Sequence, residues 1–196
     1  MLNVGIFVFN DIELLDFTGP YEVFSVASDL NQNNLFQVFT VTEDGKAIKS
    51  VNGLKVLPDY SFSDHPQIDI LIIPGGNGTK IEIQKETVLK WIIDHYNSSK
   101  LTMSVCSGAR LLGKIGLLDG VECITHHEVI PDLIEIAPSA IIKPGKRYLG
   151  KDKLYTSAGI SAGIDLSLHI VKLLCGNSVE AETRVYMEYE DWEKYL

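Results

Sequence analysis

Short apolar runs alternate along this chain with longer stretches in which apolar and polar residues follow a helical spacing. Runs rich in apolar and β-branched residues occupy positions 3–9, 36–42, 69–73 and 101–105. Such runs are typical of strands that are buried on both faces of a parallel sheet. Helical spacing predicts helices at residues 18–29, 85–96, 107–115, 160–174 and 179–189. The alternation therefore predicts an α/β protein in which crossover helices join parallel strands.

Weaker signals complete the predicted architecture. Asn52-Gly53 divides residues 46–57 into a small hairpin. Pro20 stands near the start of a helix that we expect to open at Thr18. Short strands are predicted at residues 121–124, 140–143 and 154–156. We interpret the chain as one domain over residues 1–196, a length that allows a sizeable core.

The composition excludes several classes of protein. Hydrophobic residues make up 45% of the chain and charged residues 22%, which is an ordinary globular balance. The formal net charge of −9 argues against a nucleic-acid partner, because a phosphate backbone needs a basic face. No apolar run has the length of a membrane span, so we expect no membrane association. The apolar N-terminus lacks the basic region of a signal peptide.

The cysteine content indicates a reducing environment. Cys106, Cys123 and Cys175 fit neither a disulfide framework nor the spacing of a zinc site. We therefore expect a cytoplasmic protein. We interpret Cys123 and Cys175 as core residues, because free cysteine behaves as a small buried hydrophobe.

Cys106 is the main candidate for chemistry. It follows the apolar run 101–105 and precedes small residues and a helical pattern. This order predicts a strand, a sharp turn and a helix, which is the architecture of a nucleophile elbow. A helix N-terminus favours a thiolate, because its unpaired N–H groups stabilise negative charge. The alternative is an ordinary buried core cysteine.

Asp16 is the candidate acid and base. It follows the first predicted strand, and the carboxyl ends of parallel strands meet at one edge of a sheet. We therefore expect it near Cys106. Burial beside a negative thiolate raises the pKa of a carboxyl, which could then protonate a substrate. The alternative is that Asp16 only caps the following helix.

Two glycines and a serine could form an anion site. Gly75 and Gly76 follow the apolar run 69–73 and place no side chain in the way of a ligand. Their backbone N–H groups, together with that of Ser107, could stabilise negative charge that develops on a substrate. The alternative is a plain tight turn.

His126 and His127 follow a short predicted strand. A cysteine nucleophile often uses histidine as its base, so His126 is either such a base or a residue that only lines the pocket. No acidic or cysteine cluster accompanies the pair at ligand spacing, so we expect no metal. Gly159 and Gly163 match neither the dinucleotide nor the phosphate-loop pattern, and we expect no cofactor.

Taken together, these segments resemble the ThiJ/PfpI superfamily, which is related to the class I glutamine amidotransferases. The resemblance covers nearly the whole chain. It implies a flavodoxin-like, three-layer α/β/α sandwich with a mostly parallel twisted sheet, a nucleophile elbow and a homodimer. It rests on these segments in chain order: Asp16-Phe-Thr-Gly-Pro-Tyr-Glu-Val-Phe24, Ile73-Pro-Gly-Gly76, Ser104-Val-Cys-Ser-Gly108, Gly113-Lys-Ile-Gly-Leu-Leu-Asp-Gly120, Thr125-His126 and Thr156-Ser-Ala-Gly-Ile-Ser-Ala-Gly-Ile-Asp165.

Within this superfamily the chain is similar to the isonitrile hydratase branch, which shares its D-x-T-G-P segment and V-C-[ST]-G elbow. N-terminal domains of some AraC-type regulators share these motifs too. The resemblance implies that Cys106 is the nucleophile, that Asp16 is the acid, and that Gly76 and Ser107 line the anion site. It implies hydration of a small isonitrile to a formamide through a thioimidate on Cys106. The alternatives are a ligand-sensing or redox-sensing protein without turnover, and a glyoxalase-like or deglycase-like enzyme.

Two positions depart from that branch. Its members usually carry threonine directly after the cysteine, where this chain has Ser107, and many carry an aromatic residue where this chain has His127. The hydroxyl survives the first change, but both changes alter the shape of the pocket and put the substrate in question. The peptidase-like branch has histidine directly after the cysteine, so Ser107 argues against protease activity.

Overall fold

The computed structural model describes residues 1–195 and has a seven-stranded sheet at its centre. Neighbouring strands in this sheet are parallel except at one edge, where the strands at residues 148–151 and 154–157 are antiparallel. In spatial order the strands are β10 (Tyr148–Lys151), β11 (Leu154–Ser157), β7 (Leu101–Ser104), β6 (Ile70–Ile73), β1 (Leu2–Phe7), β2 (Phe36–Thr42) and β5 (Tyr60–Ser61). Two short pairs lie outside it, the hairpin β3 (Ile48–Lys49) with β4 (Lys55–Val56) and the parallel pair β8 (Glu122–Cys123) with β9 (Ile141–Ile142).

Helices cover both faces of the sheet. The described residues form α1 (Leu14–Asp29), α2 (Thr79–Glu82), α3 (Glu86–Ser98), α4 (Ala109–Lys114), α5 (Ile130–Ile136), α6 (Ala162–Cys175) and α7 (Asn177–Tyr186). The crossover through α1 runs from β1 to β2, and the crossover through α3 runs the opposite way, from β6 to β7. Because such crossovers are right-handed, α1 and α3 lie on opposite faces.

Helices α6 and α7 pack with α1 on its face. The predicted three-layer α/β/α sandwich is confirmed. None of the helices in residues 1–195 is long and apolar enough to cross a membrane.

The central strands are buried on both faces, as their apolar-rich runs indicate. All four residues of β6 are fully buried. On the α3 side, Trp91 packs against Phe7 with ring centroids 5.8 Å apart and stacks on Phe62 at 4.3 Å. This aromatic cluster joins α3 to β1, an interior strand of the sheet.

The first helix differs from its predicted boundaries. It begins at Leu14 rather than at Thr18, so Pro20 lies inside the helix and not at its start. Proline has no N–H, so the carbonyl of Asp16, four residues earlier, lacks its usual helical partner. The small elements β5, β10, α2 and α5 were not predicted.

The strand order reverses at β1, because the chain moves first to β2 and later returns to β6 on the other side. The carboxyl ends of the neighbouring strands are level, since Ser104 pairs with both Ile73 and Thr156. The turns after β1, β6, β7 and β11 therefore meet at one edge. In open α/β sheets a crevice at such a reversal is the usual ligand site.

Candidate active site

Cys106 occupies a strained turn at the carboxyl end of β7. Its φ of +55° lies in the left-handed region, which is uncommon for a residue with a side chain. A single 3-10 turn, Cys106–Gly108, leads directly into α4. A Cβ at Gly108 would collide with the backbone of Ile73 and Pro74, so the turn requires glycine there. The predicted strand, turn and helix are present in this order.

Asp16 lies beneath the elbow and is fully buried. It stands in the first turn of α1, and the residue before that helix is Glu13, so Asp16 does not cap the helix. Its Oδ2 accepts a hydrogen bond of 2.9 Å from the Gly75 N–H. Its Oδ1 has no partner with hydrogen-bond geometry among residues 1–195.

The carboxyl of Asp16 is tuned by burial. Burial raises its pKa to about 7, although the Gly75 N–H and the Cys106 thiol favour the charged form. A carboxyl that titrates near neutral pH can both take and give a proton. The neighbouring thiol therefore does not cause the rise, which comes from desolvation.

The Cys106 thiol is protonated at rest, contrary to the thiolate expected from a helix N-terminus. Burial raises its pKa to about 12, and the charge of Asp16 adds to the rise. The N–H groups of Ser107 and Ile160 favour the thiolate but do not outweigh desolvation. The short 3-10 turn offers few aligned N–H groups, so the dipole effect is small. Nucleophilic attack therefore requires that the thiol lose its proton to a neighbouring base.

The two glycines lie in the turn after β6 and contact the elbow. The Gly75 N–H is directed at Asp16, and the Gly76 N–H donates to the Ser107 hydroxyl at 2.9 Å. A Cβ at Gly75 would lie 2.5 Å from the Ser107 nitrogen, so this glycine allows the two turns to touch. In the resting state both glycine N–H groups are engaged within the protein, and neither points freely at a ligand.

His126 lines the cleft, whereas His127 does not. The Nδ1 of His126 accepts a hydrogen bond of 3.2 Å from the Glu128 N–H, which leaves Nε2 as the protonated nitrogen of the neutral ring. The ring lies against Gly159, where a Cβ would collide with it. His127 is exposed, and its ring is tilted against that of His126 with centroids 4.3 Å apart. Residues 1–195 hold no group of three or more His, Cys, Asp or Glu that could bind a metal ion.

A cleft of about 500 Å³ opens above Cys106, and two residues that the sequence did not single out help to form it. Ile160 has a φ of +49°, which is unusual for a β-branched residue, and its N–H favours the charged forms of both Cys106 and Asp16. No local sequence signal indicates this conformation. Arg110 is the second, and its buried position after the elbow is set by packing between helices.

These features define a class of α/β proteins in which the carboxyl edge of a mostly parallel sheet carries a cysteine on a strand–turn–helix elbow. The DJ-1/PfpI family model matches residues 3–173, and the chain belongs to this family.

Three relatives illustrate the range of this similarity. The isonitrile hydratase of Pseudomonas putida is 31% identical over 191 residues, which cover 96% of this chain and 78% of that protein. The HTH-type transcriptional regulator GbdR of Pseudomonas aeruginosa is 24% identical over 188 residues, and the chain spans 51% of its length. The crystal structure of a THiJ/PfpI family protein from Pseudomonas syringae has a TM-score of 0.86 at 25% identity, covering 96% of this chain and 75% of that one.

Proposed function

We propose that the protein is a cysteine-dependent isonitrile hydratase. The observation that carries the proposal is the pairing of a protonated, strained Cys106 with a buried Asp16 whose pKa is raised to about 7. Hydration of an isonitrile needs one nucleophile and one group that moves a proton from sulfur to carbon. The similarity to the isonitrile hydratase of Pseudomonas putida supports the same reaction.

In the first step the Asp16 carboxylate takes the thiol proton while Cys106 Sγ attacks the terminal carbon of R–N≡C. The new bond is S–C, and the carbon gains electron density. Asp16, now protonated, returns the proton to this carbon. The product is a thioimidate, R–N=CH–S–Cys106, and Asp16 is again a carboxylate. No proton is gained or lost overall, because the thiol supplies the one that the carbon receives.

In the second step water hydrolyses the thioimidate. Asp16 takes a proton from the water, whose oxygen attacks the imidate carbon, and the S–C bond breaks. The nitrogen gains one proton and the sulfur the other, which gives R–NH–CHO and the free thiol. In this scheme Gly75 orients the Asp16 carboxyl, Gly76 and Ser107 lie beside the carbon that reacts, and His126 lines the cleft.

The first test is turnover of an aryl isonitrile, an alkyl isonitrile and methylglyoxal, with products identified by mass spectrometry. We expect the wild-type protein to form a formamide and Cys106→Ala to form none. Cys175→Ala, which removes a thiol outside the cleft, is the matched control and retains turnover. Full activity of Cys106→Ala would exclude covalent catalysis.

The role of Asp16 has its own test. Asp16→Asn keeps the shape of the side chain but cannot carry the proton, so we expect turnover to fall by at least about 10²-fold. In the wild-type protein the carboxylate is populated above a pKa of about 7, so turnover should rise as the pH passes through that value. An unchanged rate in Asp16→Asn would remove it from the mechanism.

A sensor without turnover is the second candidate, and the similarity to the regulator GbdR supports it. No turnover of the three compounds, together with ready alkylation of Cys106, would support the sensor. Conversion of methylglyoxal alone would support a glyoxalase-like enzyme instead.

The homodimer implied by the family resemblance and the cytoplasmic location indicated by the cysteine content are further proposals. Light scattering on the purified protein measures the first directly, and a monomer at micromolar concentration would contradict it. Cell fractionation measures the second.

A further inference from the structure

Arg110 is a charged side chain held almost entirely inside the protein. It is 6% exposed, and it projects from α4 toward two other helices. One guanidinium nitrogen, Nη1, donates to Thr79 Oγ1 at 3.1 Å, and the other, Nη2, forms an ion pair with Asp132 on α5. Charged residues are rarely buried without such partners. Of these two partners, Thr79 connects Arg110 to the candidate site.

The hydrogen bonds beyond Thr79 reach the elbow. Thr79 Oγ1 lies 2.8 Å from the Gly76 carbonyl and 3.5 Å from Ser107 Oγ. The Gly76 N–H in turn donates to Ser107 Oγ at 2.9 Å. Gly76 and Ser107 are thus hydrogen-bonded to each other, and the Thr79 hydroxyl lies within hydrogen-bond distance of both.

The direction of each hydrogen bond follows from the chemistry of the groups. A guanidinium can only donate, so Thr79 Oγ1 accepts from Arg110. The single hydroxyl proton of Thr79 is then directed at the Gly76 carbonyl, which is its nearer acceptor. The Arg110 hydrogen bond occupies one acceptor position of the Thr79 oxygen, so its loss frees the Thr79 hydroxyl to rotate away from the Gly76 carbonyl. The Ser107 hydroxyl also donates to this carbonyl at 3.2 Å, so Gly76 and Ser107 are joined by two hydrogen bonds of opposite direction.

We propose that Arg110 is a positioning residue, which acts through the Thr79 hydroxyl to hold the Gly76 peptide and the Ser107 side chain beside Cys106. Its effect on turnover rests on the proposed function, but its effect on the Gly76 hydrogen bond does not. In this arrangement Arg110 and Thr79 act as one unit. Residues that act in series lose the same interaction once, so their variants are not additive.

The test measures amide hydrogen exchange at Gly76 by NMR in four proteins: wild type, Arg110→Met, Thr79→Val and the double variant. We expect exchange to be about tenfold faster than in wild type in each single variant. In the double variant we expect exchange to be no faster than in either single variant. Lys114→Met, which removes a positive charge one turn further along α4, is the matched control and leaves exchange unchanged. If Arg110→Met fails to fold, Arg110→Lys takes its place, because the single nitrogen of lysine can keep the ion pair with Asp132 while the separate donor to Thr79 is lost.

Turnover supplies the second readout. We expect a lower kcat with an unchanged KM in the single variants and in the double variant alike. Unchanged Gly76 exchange in both single variants, or additive losses in the double variant, would overturn the proposal. A raised KM with an unchanged kcat would also overturn it, because it would mean that Arg110 binds substrate directly. Absence of wild-type turnover would count against the hydratase proposal and leave the exchange result to decide on Arg110.

Discussion

At the scale of single residues, the candidate site depends on glycines that are needed for two different reasons. Gly75 has an ordinary backbone conformation, yet a Cβ there would lie 2.6 Å from Ser107 Oγ and 2.8 Å from Asp16 Oδ2. Gly120 is the opposite case, because its φ is +70° and no atom lies within 4 Å of a Cβ. The first glycine is required by its neighbours and the second by its own backbone.

This contrast predicts two different outcomes for the same substitution. Gly75→Ala should separate the two turns, break the hydrogen bond to Asp16 and lower turnover by at least about 10²-fold. Gly120→Ala should keep turnover and lower the free energy of unfolding by about 1–2 kcal/mol, because alanine is strained in the left-handed region. Steady-state kinetics and urea unfolding of both variants measure the two effects. Equal turnover in the two variants would contradict this account of Gly75.

At the scale of secondary-structure elements, Lys85 joins three segments of the chain. It lies 3.0 Å from Glu82 at the end of α2 and 3.0 Å from Glu43, which follows β2. It directly precedes α3, whose Thr87 donates to the same Glu43 at 2.6 Å. Glu82 is 5% exposed, and burial raises its pKa while Lys85 opposes the rise. The lysine therefore compensates a buried carboxylate at the junction.

We expect Lys85→Met to lower the free energy of unfolding by about 1–2 kcal/mol at pH 8, because it leaves Glu82 buried without its partner. This figure is reduced for solvent screening, since Lys85 is 37% exposed. The control is Lys46→Met, which removes an ion pair with Asp44 whose two members are both exposed and should not change stability. Urea denaturation at pH 8 measures both variants. A similar loss of stability in both variants would show that the Lys85 junction contributes no more than an exposed ion pair.

At the scale of the whole molecule, the buried Asp16 makes stability depend on pH. Its pKa is about 7 in the folded protein and 3.8 in an unfolded chain. Between these values the folded state binds more protons than the unfolded state, so the free energy of unfolding falls as the pH rises. The contribution is fully present below pH 3.8 and is lost as the pH passes through about 7. The proposed acid and base therefore destabilises the fold at the pH where it would act.

Asp16→Asn removes this dependence. We expect its stability relative to wild type to increase from pH 4 to pH 7 and then to level off, with a total gain of about 4 kcal/mol at most. Unfolding by urea at several pH values gives the two curves, and the difference between their slopes is the quantity to compare. Parallel curves would mean that Asp16 does not titrate in this range. Loss of turnover together with a gain in stability is the trade-off expected of a functional site.

Much of the molecule could be predicted from the sequence because its signals are local. The run 69–73 is apolar at nearly every position, and strand β6 there is buried on both faces. The boundaries of β2 at Phe36–Thr42 match the predicted range. The predicted start of α1 was wrong, because packing of α1 against α6 outweighs the usual place of proline in the first turn.

The fold class, the family and the elbow at Cys106 follow from local sequence signals, because apolar periodicity and turn residues act over a few neighbouring positions. The protonation of the site follows from the folded arrangement instead. The pKa values of Cys106 and Asp16 depend on how much water the folded chain excludes, and no short segment encodes that. The same holds for the left-handed Ile160 and for the buried Arg110, whose partners Thr79 and Asp132 lie 31 and 22 residues away. Their positions follow from the packing of distant elements against one another.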